Sequence, residues 1–293
     1  MRSENPLRDP VQRFKIYKLF DSIWPSVGSS VLKAAAAGAC WHDISEAFVK
    51  WVDGVPVAHA GVIEIPLLIA GQRKKVGAIH AVCTLKEHRH QGYSRECMED
   101  ALAYCDQRYE VCQLLTDRPI LYERYGFKSY PFVNYLYEVK GGSAKREKGL
   151  FRRLDASSPM DLARLYECVG QRAPVSQTIA SLDPGWLLVI DEVLEQQGVK
   201  RFSICEDLET VIAYEVREGT LHLLDLITAR DLEFQEILER IPESFETARL
   251  YFTPDRWPSI AFEASDFDEW VYMVRGAFPL EARKFCYPRL AES

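Results

Sequence analysis

The spacing of apolar residues in the first half of the chain changes from a helical period to a strand period and back. Dense apolar positions over residues 10–38, interrupted at Pro25, predict two helices. Alternating and continuous apolar runs then predict strands of a mixed sheet, because a run without a polar face fits a strand covered on both sides. The predicted strands are 46–52, 55–65 and 76–85, the first two joined by a turn at Asp53-Gly54. A helix follows, with one apolar stripe formed by Cys97, Met98, Ala101, Leu102 and Cys105.

The second half of the chain repeats this order of elements. It begins with a short strand at 151–154, a helix at 161–169 and a helix over 186–197 that ends at Gly198. The remaining predicted elements are strands at 201–205, 210–216 and 221–227, a helix around 231–241, and strands at 248–252 and 270–275. The repeated order predicts two similar units.

Residues 140–149 (KGGSAKREKG) separate the two units. They are polar, basic and glycine-bearing without any period, which is typical of a linker. The chain has 293 residues, a length that favours two domains of about 140 residues each. We therefore predict an α/β fold of two tandem domains, 1–140 and 150–293, each a mixed sheet flanked by helices.

Composition and charge exclude several classes of protein. The net charge of −7 argues against general nucleic-acid binding. No apolar run approaches the roughly twenty residues that span a bilayer, and the polar N-terminus lacks the apolar core of a signal peptide. The eight cysteines lack the dense spacing of a disulfide scaffold. We expect a cytoplasmic protein without nucleic-acid or membrane partners; the sequence does not indicate an oligomeric state.

The turn after the strand at 76–85 carries the clearest chemistry. It reads RHQGYS over residues 89–94 and opens the amphipathic helix. Backbone N–H groups at a helix start are unpaired, and the helix dipole adds positive character there. Gly92 lets the backbone approach a ligand closely, and Arg89 and Arg95 supply charge. The turn is suited to binding a diphosphate.

The order of strand, R-x-x-G-x-S turn, helix, strand and the segment LYERYGF at 121–127 resembles the acetyl-coenzyme A core of the GNAT N-acetyltransferase superfamily. Lys86 stands where this family usually has proline, and Ser94 replaces the last small residue of its turn. The tandem layout is similar to that of the Eis-like acetyltransferases, but the chain is too short for their third, C-terminal domain.

The corresponding turn of the second unit has lost these features. Residues 228–232 (TARDL) contain no glycine, and Asp231 stands where the helix is predicted to start. A carboxylate there would cap the helix and repel a phosphate. We therefore expect a GNAT-like second unit without coenzyme A, and one cofactor site in the chain.

The resemblance implies three groups of cofactor-binding residues. A strand whose backbone pairs with the pantetheine arm, the diphosphate turn and the end of the next strand would each contribute. These are Val82, Cys83 and Thr84; Arg89, His90, Gln91, Gly92, Tyr93, Ser94 and Arg95; and Asp117 and Arg118. The alternatives are a plain core strand and an ordinary glycine-containing turn.

The resemblance also implies catalytic residues. Tyr122 matches the tyrosine that protonates the leaving thiolate, a role that suits a phenol with a pKa of about 10; the alternative is aromatic packing. His80 is similar in position to a catalytic base of the serotonin N-acetyltransferase branch, or else is a buried strand histidine. Glu64 is another candidate base, or pairs with a lysine. In the Eis-like group a C-terminal carboxylate enters the site, so Ser293 is a further candidate if the chain folds back.

Metal binding is not predicted. His80, Cys83, His88 and His90 do not match a zinc spacing, and strand alternation puts His80 and Cys83 on opposite faces. Cys40-Trp41-His42 lacks a third partner for nucleophile chemistry and is interpreted as part of a buried aromatic cluster.

The sequence favours an acetyl-coenzyme A-dependent N-acetyltransferase that acts on a primary amine, of a small molecule or a lysine, by direct attack on the thioester. One alternative is a non-catalytic acyl-coenzyme A-binding regulatory protein that lacks a working acid and base. Another is an interaction module in which the second unit recruits a partner through an exposed apolar patch.

Overall fold

The computed structural model describes residues 4–139, 149–155, 157–183, 185, 187, 189–190, 201–266, 270–281 and 283–288. Its helices are α1 (Pro10–Ile23), α2 (Val27–Ala36), α3 (Trp41–Ile44), α4 (Tyr93–Cys105), α5 (Ile120–Glu123), α6 (Pro159–Gln171) and α7 (Phe234–Leu238). Its strands are β1 (Ser45–Val52), β2 (Val55–Ile69), β3 (Gln72–Thr84), β4 (Val111–Thr116), β5 (Lys128–Tyr130), β6 (Val133–Glu138), β7 (Arg152–Arg153), β8 (Ile179–Ser181), β9 (Phe202–Cys205), β10 (Thr210–Arg217), β11 (Thr220–Ile227), β12 (Thr247–Leu250), β13 (Glu263–Asp266) and β14 (Val271–Gly276).

The strands form two mixed sheets with the same pattern of pairing. Sheet 1 has the order β1-β2-β3-β4-β14-β5, with β8 paired to β2, and sheet 2 has the order β13-β6-β12-β11-β10-β9-β7. In sheet 1, β1, β2 and β3 are antiparallel and β3 is parallel to β4. In sheet 2, β9, β10 and β11 are antiparallel and β11 is parallel to β12. The mixed α/β fold predicted from the sequence is confirmed.

Each half of the chain contributes its last strand to the sheet of the other half. β14 lies between β4 and β5 and is antiparallel to both. β6 lies between β12 and β13, also antiparallel to both. The domain boundaries 1–140 and 150–293 remain a prediction. The exchange of β6 and β14 between the two sheets is a feature that the strand pattern did not reveal. Periodicity identifies a strand but not its partner, which tertiary packing selects.

Three apolar clusters hold the layers together. The largest lies between the two sheets and joins α1 and α2 to both inner faces, for example through Phe20, Ile65 and Leu224. A second packs α7 on the outer face of sheet 2. The third packs Met98 and the rest of the apolar stripe of α4 on the outer face of sheet 1. Burying a large apolar side chain contributes about 1.5–3 kcal/mol, so the shared cluster couples the stability of the two sheets.

The predicted helices over 10–38 are confirmed as α1 and α2, and Asp9 caps α1 by accepting from the backbone N–H groups of Val11 and Gln12. The linker at 140–149, apart from Gly149, the helix at 186–197, apart from residues 187, 189 and 190, and Ser293 lie outside the described residues. No helix among the described residues has the length and apolarity needed to cross a membrane.

The prediction that Asp231 caps a helix is wrong. The helix is the shorter α7, with Glu233 at its N-cap and no side-chain cap. The preceding residues are held in a non-helical path by other contacts: Arg230 N–H donates to Thr228 Oγ1 at 3.1 Å, and Trp257 Nε1 donates to Leu232 O at 2.7 Å. These bonds satisfy backbone groups that a longer helix would have used.

Candidate active site

A gap opens in sheet 1 where β3 and β4 diverge. The two strands pair only over Val76–Ala78 and Val111–Gln113. Beyond that point β3 continues to Thr84 and β4 to Thr116, while the other edge of β3 stays on β2. We call the space between residues 79–84 and 114–116 the first wedge. No strand of the described residues pairs with the β3 edge that faces it.

The backbone of the predicted cofactor strand faces the first wedge. Leu85 N–H donates to Val57 O at 2.9 Å, on the β2 side. Because backbone groups alternate in direction along a strand, those of Cys83 face β2 and those of Val82 and Thr84 face the wedge. The Oγ1 atom of Thr84 is also buried without a hydrogen-bond partner. An extended ligand in the wedge would meet backbone groups that no described strand pairs with.

The turn between β3 and α4 ends beside this wedge. His90 (φ 63°) and Gly92 (φ 85°) are left-handed, and Gly92 is the N-cap of α4 without a side-chain cap. A Cβ atom at Gly92 would meet no atom within 4 Å, so the turn borders open space. The first N–H groups of α4 therefore offer positive character at an accessible position, as a diphosphate requires.

The charged side chains of the predicted site differ in the partners that they already have. Arg89 Nε donates to Thr84 O at 3.4 Å and so connects the turn to the wedge. Arg95 pairs with Glu99 at 2.9 Å, and its side chain is 62% exposed, so much of its charge is matched along the helix. Asp117 and Arg118 follow β4 and lie 3.6 Å apart (Oδ2 to Nε), also at the surface.

Tyr122 lies on α5 and packs against the α4 side of sheet 1. Its ring meets Phe127 edge-on, with the centroids 6.3 Å apart, and it joins the cluster that Val82 also contacts. Burial raises the pKa of Tyr122, and Asp117 and Tyr125 raise it further. The phenol therefore keeps its proton at neutral pH. Tyr125 differs, because its hydroxyl accepts from Arg124 Nη2 at 2.7 Å.

His80 is a residue of β3, and its side chain packs against Trp41, a member of the cluster between the sheets. Its side chain is almost fully buried, Nε2 is 2.9 Å from Ser45 Oγ, and the ring meets Trp41 edge-on at 5.2 Å. Burial, and the neighbouring His59, hold the pKa of His80 well below its usual range. A base role for His80 stays a prediction, and its surroundings favour the alternative of a buried strand histidine. Glu64 Oε1 lies 2.8 Å from Lys75 Nζ, which agrees with the alternative that Glu64 pairs with a lysine.

The expectation that His80 and Cys83 lie on opposite faces of their strand is wrong. Ala81 is an extra residue in β3 with φ 49°, and the register with β2 shifts there. The bulge cancels the alternation, so Cys83 joins the same inner cluster as Trp41, against which His80 packs. Sequence reasoning missed this bulge and with it His59, which contacts Ala81. Neither has a signal in the apolar pattern, because Ala81 is not a glycine and His59 lies in an otherwise regular strand.

A metal-ligand geometry occurs elsewhere among the described residues. The ligand atoms of Cys40, His42 and Asp43 lie within 4.8 Å of one another. Arg8 Nη1 already binds Asp43 Oδ1 at 3.0 Å. Burial, and after it the positive charge of Arg13, lower the pKa of His42. Two arginines beside the group oppose a cation.

Sheet 2 has a matching divergence that the chain itself fills. β11 pairs with β12 only up to Leu223 and Leu250, and continues to Ile227. We call the space between these strand ends the second wedge. The segment 172–178 bridges it: Ala173 N–H donates to Thr228 O at 2.9 Å, and Thr178 N–H donates to Asp255 Oδ2 at 2.8 Å. This is a second physical reason, besides the missing glycine, to expect one cofactor site.

Comparisons with known proteins agree with this geometry. Residues 14–127 match the model of the Acetyltransferase (GNAT) family, which confirms the resemblance of the first unit. A probable N-acyltransferase from Enterococcus faecalis has a TM-score of 0.57 at 12% identity, over 83% of this chain and 64% of that one. A GCN5-related N-acetyltransferase from Anabaena variabilis has a TM-score of 0.56 at 13% identity, over 92% and 70%. Eis1 from Mycobacterium abscessus has a TM-score of 0.50 at 15% identity, over 78% and 63%.

At these identities the structural likeness establishes the fold alone. The chain spans less than two thirds of the length of the Enterococcus and Mycobacterium proteins. Curated protein sequences give no match.

Proposed function

We propose, starting from the match of residues 14–127 to the GNAT acetyltransferase family, that the chain is an acetyl-coenzyme A-dependent N-acetyltransferase. The family match supports acyl transfer in general. Use of acetyl-coenzyme A and transfer to a primary amine are the specific proposals, together with the assignment of residues 1–140 as the catalytic unit.

The observation that carries the proposal is the first wedge, together with the uncapped helix start beside it. The wedge offers strand-like backbone groups at Val82 and Thr84, and the turn offers the N–H groups of α4 next to Gly92. A pantetheine arm is an extended amide chain that pairs as a strand does, and its diphosphate end requires an anion site. The described residues fit such a ligand at both ends.

Acetyl-coenzyme A would supply the thioester, whose acyl carbon forms a bond to the amine nitrogen while the carbon–sulfur bond breaks and coenzyme A leaves as the thiol. The protein has to bind both partners in line, which accounts for much of the acceleration in such reactions. It must also deliver a proton to the leaving sulfur and allow the amine to lose one. The hydroxyl of Tyr122 holds a proton at neutral pH because burial raises its pKa, so we assign it the role of general acid.

We propose a small-molecule amine or a lysine side chain as acceptor. The net charge of −7 favours a cationic partner over an acidic one.

The test separates binding from turnover. Calorimetric titration with coenzyme A measures the first, and release of free thiol with a panel of amines measures the second. Tyr122→Phe should keep the affinity and lower kcat by about a hundredfold or more, the range for loss of a general acid. The matched control is Tyr125→Phe, which removes a hydroxyl three residues away that binds Arg124.

The runner-up is a non-catalytic acyl-coenzyme A-binding protein. Tight binding of coenzyme A without thiol release on the panel, and without an effect of Tyr122→Phe, would favour it over the enzyme. Absence of coenzyme A binding would reject both. An interaction module has weaker support, because the large apolar side chains exposed among the described residues beyond 149 are the isolated Met160 and Trp270.

A further inference from the structure

The bulge in β3 lies immediately before the residues whose backbone faces the first wedge. His59 is opposite Cys83 and Gly61 is opposite His80, so Ala60 alone faces both Ala81 and Val82. Ala81 adopts a left-handed conformation that residues with a side chain rarely adopt. A strand bends and changes its facing at such an extra residue, so the bulge determines which backbone groups point into the wedge.

The imidazole of His59 holds this bulge from the inner face. Its Nδ1 atom is 2.8 Å from Ala81 O, and because a carbonyl oxygen only accepts, Nδ1 carries the proton. The side chain is 0% exposed and meets Phe20 edge-on at 4.8 Å. The contact replaces a ladder bond that the bulge removes, since the carbonyl of a bulged residue is no longer in register with the partner strand.

The surroundings are adapted to this one contact. A Cβ atom at Gly61 would overlap the imidazole of His80 and lie 3.0 Å from Cε1 of His59, so the glycine makes room for both rings. The other ring nitrogen of His59, Nε2, is buried without a partner. An unpaired buried polar atom is unfavourable, and an apolar side chain would avoid it. The bond from Nδ1 to Ala81 is therefore what the imidazole adds at this position.

We propose that His59 is a positioning residue: by donating its Nδ1–H to Ala81 O, it fixes the bulge of β3 and thereby directs the backbone of Val82 and Thr84 into the first wedge. The proposal rests on the proposed function in so far as it takes the wedge for the cofactor site. Burial lowers the pKa of His59 to about 4, so a neutral Nδ1–H tautomer is the form present near pH 7.

Two substitutions at His59 separate the bond from the packing. In His59→Asn the side-chain amide nitrogen takes the place of Nδ1, whereas in His59→Gln it lies one bond further out, near the place of Nε2. The control Phe20→Leu loosens the packing on the same ring but leaves the donor. The readouts are the backbone amide NMR shifts of residues 82–84 and the affinity for coenzyme A.

We expect His59→Asn and Phe20→Leu to keep the amide shifts and to bind coenzyme A within about threefold of the wild type. His59→Gln should move the shifts and weaken binding by about tenfold, the value of one hydrogen bond. Equal behaviour of His59→Asn and His59→Gln would overturn the proposal, as would wild-type shifts in His59→Gln. If the wild type bound no coenzyme A, the proposed function would fail, and the amide shifts alone would still decide the role of His59.

Discussion

The two sheets share a pairing pattern but differ in what occupies the gap between their parallel strands. In sheet 1 no described strand pairs with the β3 edge at Val82 and Thr84, and the following turn carries Gly92, which borders open space. In sheet 2 the segment 172–178 bridges the corresponding gap, with hydrogen bonds from Ala173 N–H to Thr228 O and from Thr178 N–H to Asp255 Oδ2. Diverging strands always leave backbone groups that need partners. From this difference we expect a ligand site only in sheet 1, where no described strand pairs with the edge of β3.

The filled wedge is held by a buried ion pair, and breaking it should have the largest effect on stability. Arg172 Nη1 is 2.6 Å from Asp225 Oδ2, with the two side chains only 5% and 9% exposed. Arg172→Leu leaves a buried carboxylate without its partner, which typically costs about 3–5 kcal/mol. Denaturant unfolding should show this loss.

The double variant Arg172→Leu/Asp225→Leu is the control for that prediction. It removes both charges, so it should recover most of the lost stability, because the cost comes from the orphaned charge. A double variant as unstable as the single one would show instead that the segment needs the pair itself. Affinity for coenzyme A should change in neither variant, since the pair belongs to the second wedge.

The open wedge should be most sensitive at Gly92. Gly92→Val places a branched side chain at φ 85° in the space before α4. We expect coenzyme A to bind about ten- to a hundredfold more weakly, the effect of losing a hydrogen bond to a charged group. Gly219→Val is the matched control, because Gly219 (φ 73°) is equally strained and open but lies in the β10–β11 turn of sheet 2. Equal weakening by both substitutions would assign the effect to strain alone.

Acid should destabilise sheet 1 through its two buried histidines. Burial lowers the pKa of His59 to about 4 and that of His80 well below its usual value, whereas a histidine in the unfolded chain titrates near 6.5. The unfolded chain therefore takes up protons first as the pH falls. The free energy of unfolding therefore has its full value above about pH 6.5 and falls toward pH 4. The fall is up to about 1.4 kcal/mol per pH unit for each histidine.

Unfolding free energies measured from pH 7.5 to 4.5 test this slope, and His59→Asn should reduce it by about half. Aspartates that pair with arginines, such as Asp106 with Arg275, have lowered pKa values and act at still lower pH. A slope unchanged in His59→Asn would place the titrating group elsewhere.

Local patterns predicted the elements around the open wedge well. The helical stripe of α4, the turn at Gly92 and the strand before it are each encoded by neighbouring residues, whose periods and turn chemistry are readable in one sequence. The strand β6 was not among the predicted elements. The exchange that places β14 in sheet 1 was not predicted either, because an apolar strand fits either sheet and only the shared core selects its partner. The filling of the second wedge depends on contacts between Ala173 and Thr228, which are far apart in the chain.

The backbone of the candidate site was predicted where it depends on a turn and missed where it depends on a bulge, and the roles of its residues stay predictions. Arg89 and Gly92 lie in a recognisable motif, but the bulge at Ala81 arises from contacts across the sheet. A left-handed alanine leaves no mark in a sequence, since alanine is common in strands and helices alike. His59 was overlooked for the same reason, because its importance depends on the residue that it faces.

The smallest expected effect concerns the turn that lost its glycine. Arg230→Gln removes a charge at the position in sheet 2 that corresponds to the predicted cofactor turn of sheet 1. Arg230 Nη1 donates there to Asp207 O at 3.2 Å in an exposed bond. Stability should change by no more than about 0.5 kcal/mol, as for most surface positions, and coenzyme A affinity should stay constant. Arg89→Gln, the matched change in sheet 1, should weaken coenzyme A binding measurably. Calorimetric titration measures both affinities. A second wedge closed by segment 172–178 should hold no anion for Arg230 to stabilise. Equal weakening by both substitutions would therefore show that the second wedge also binds a ligand.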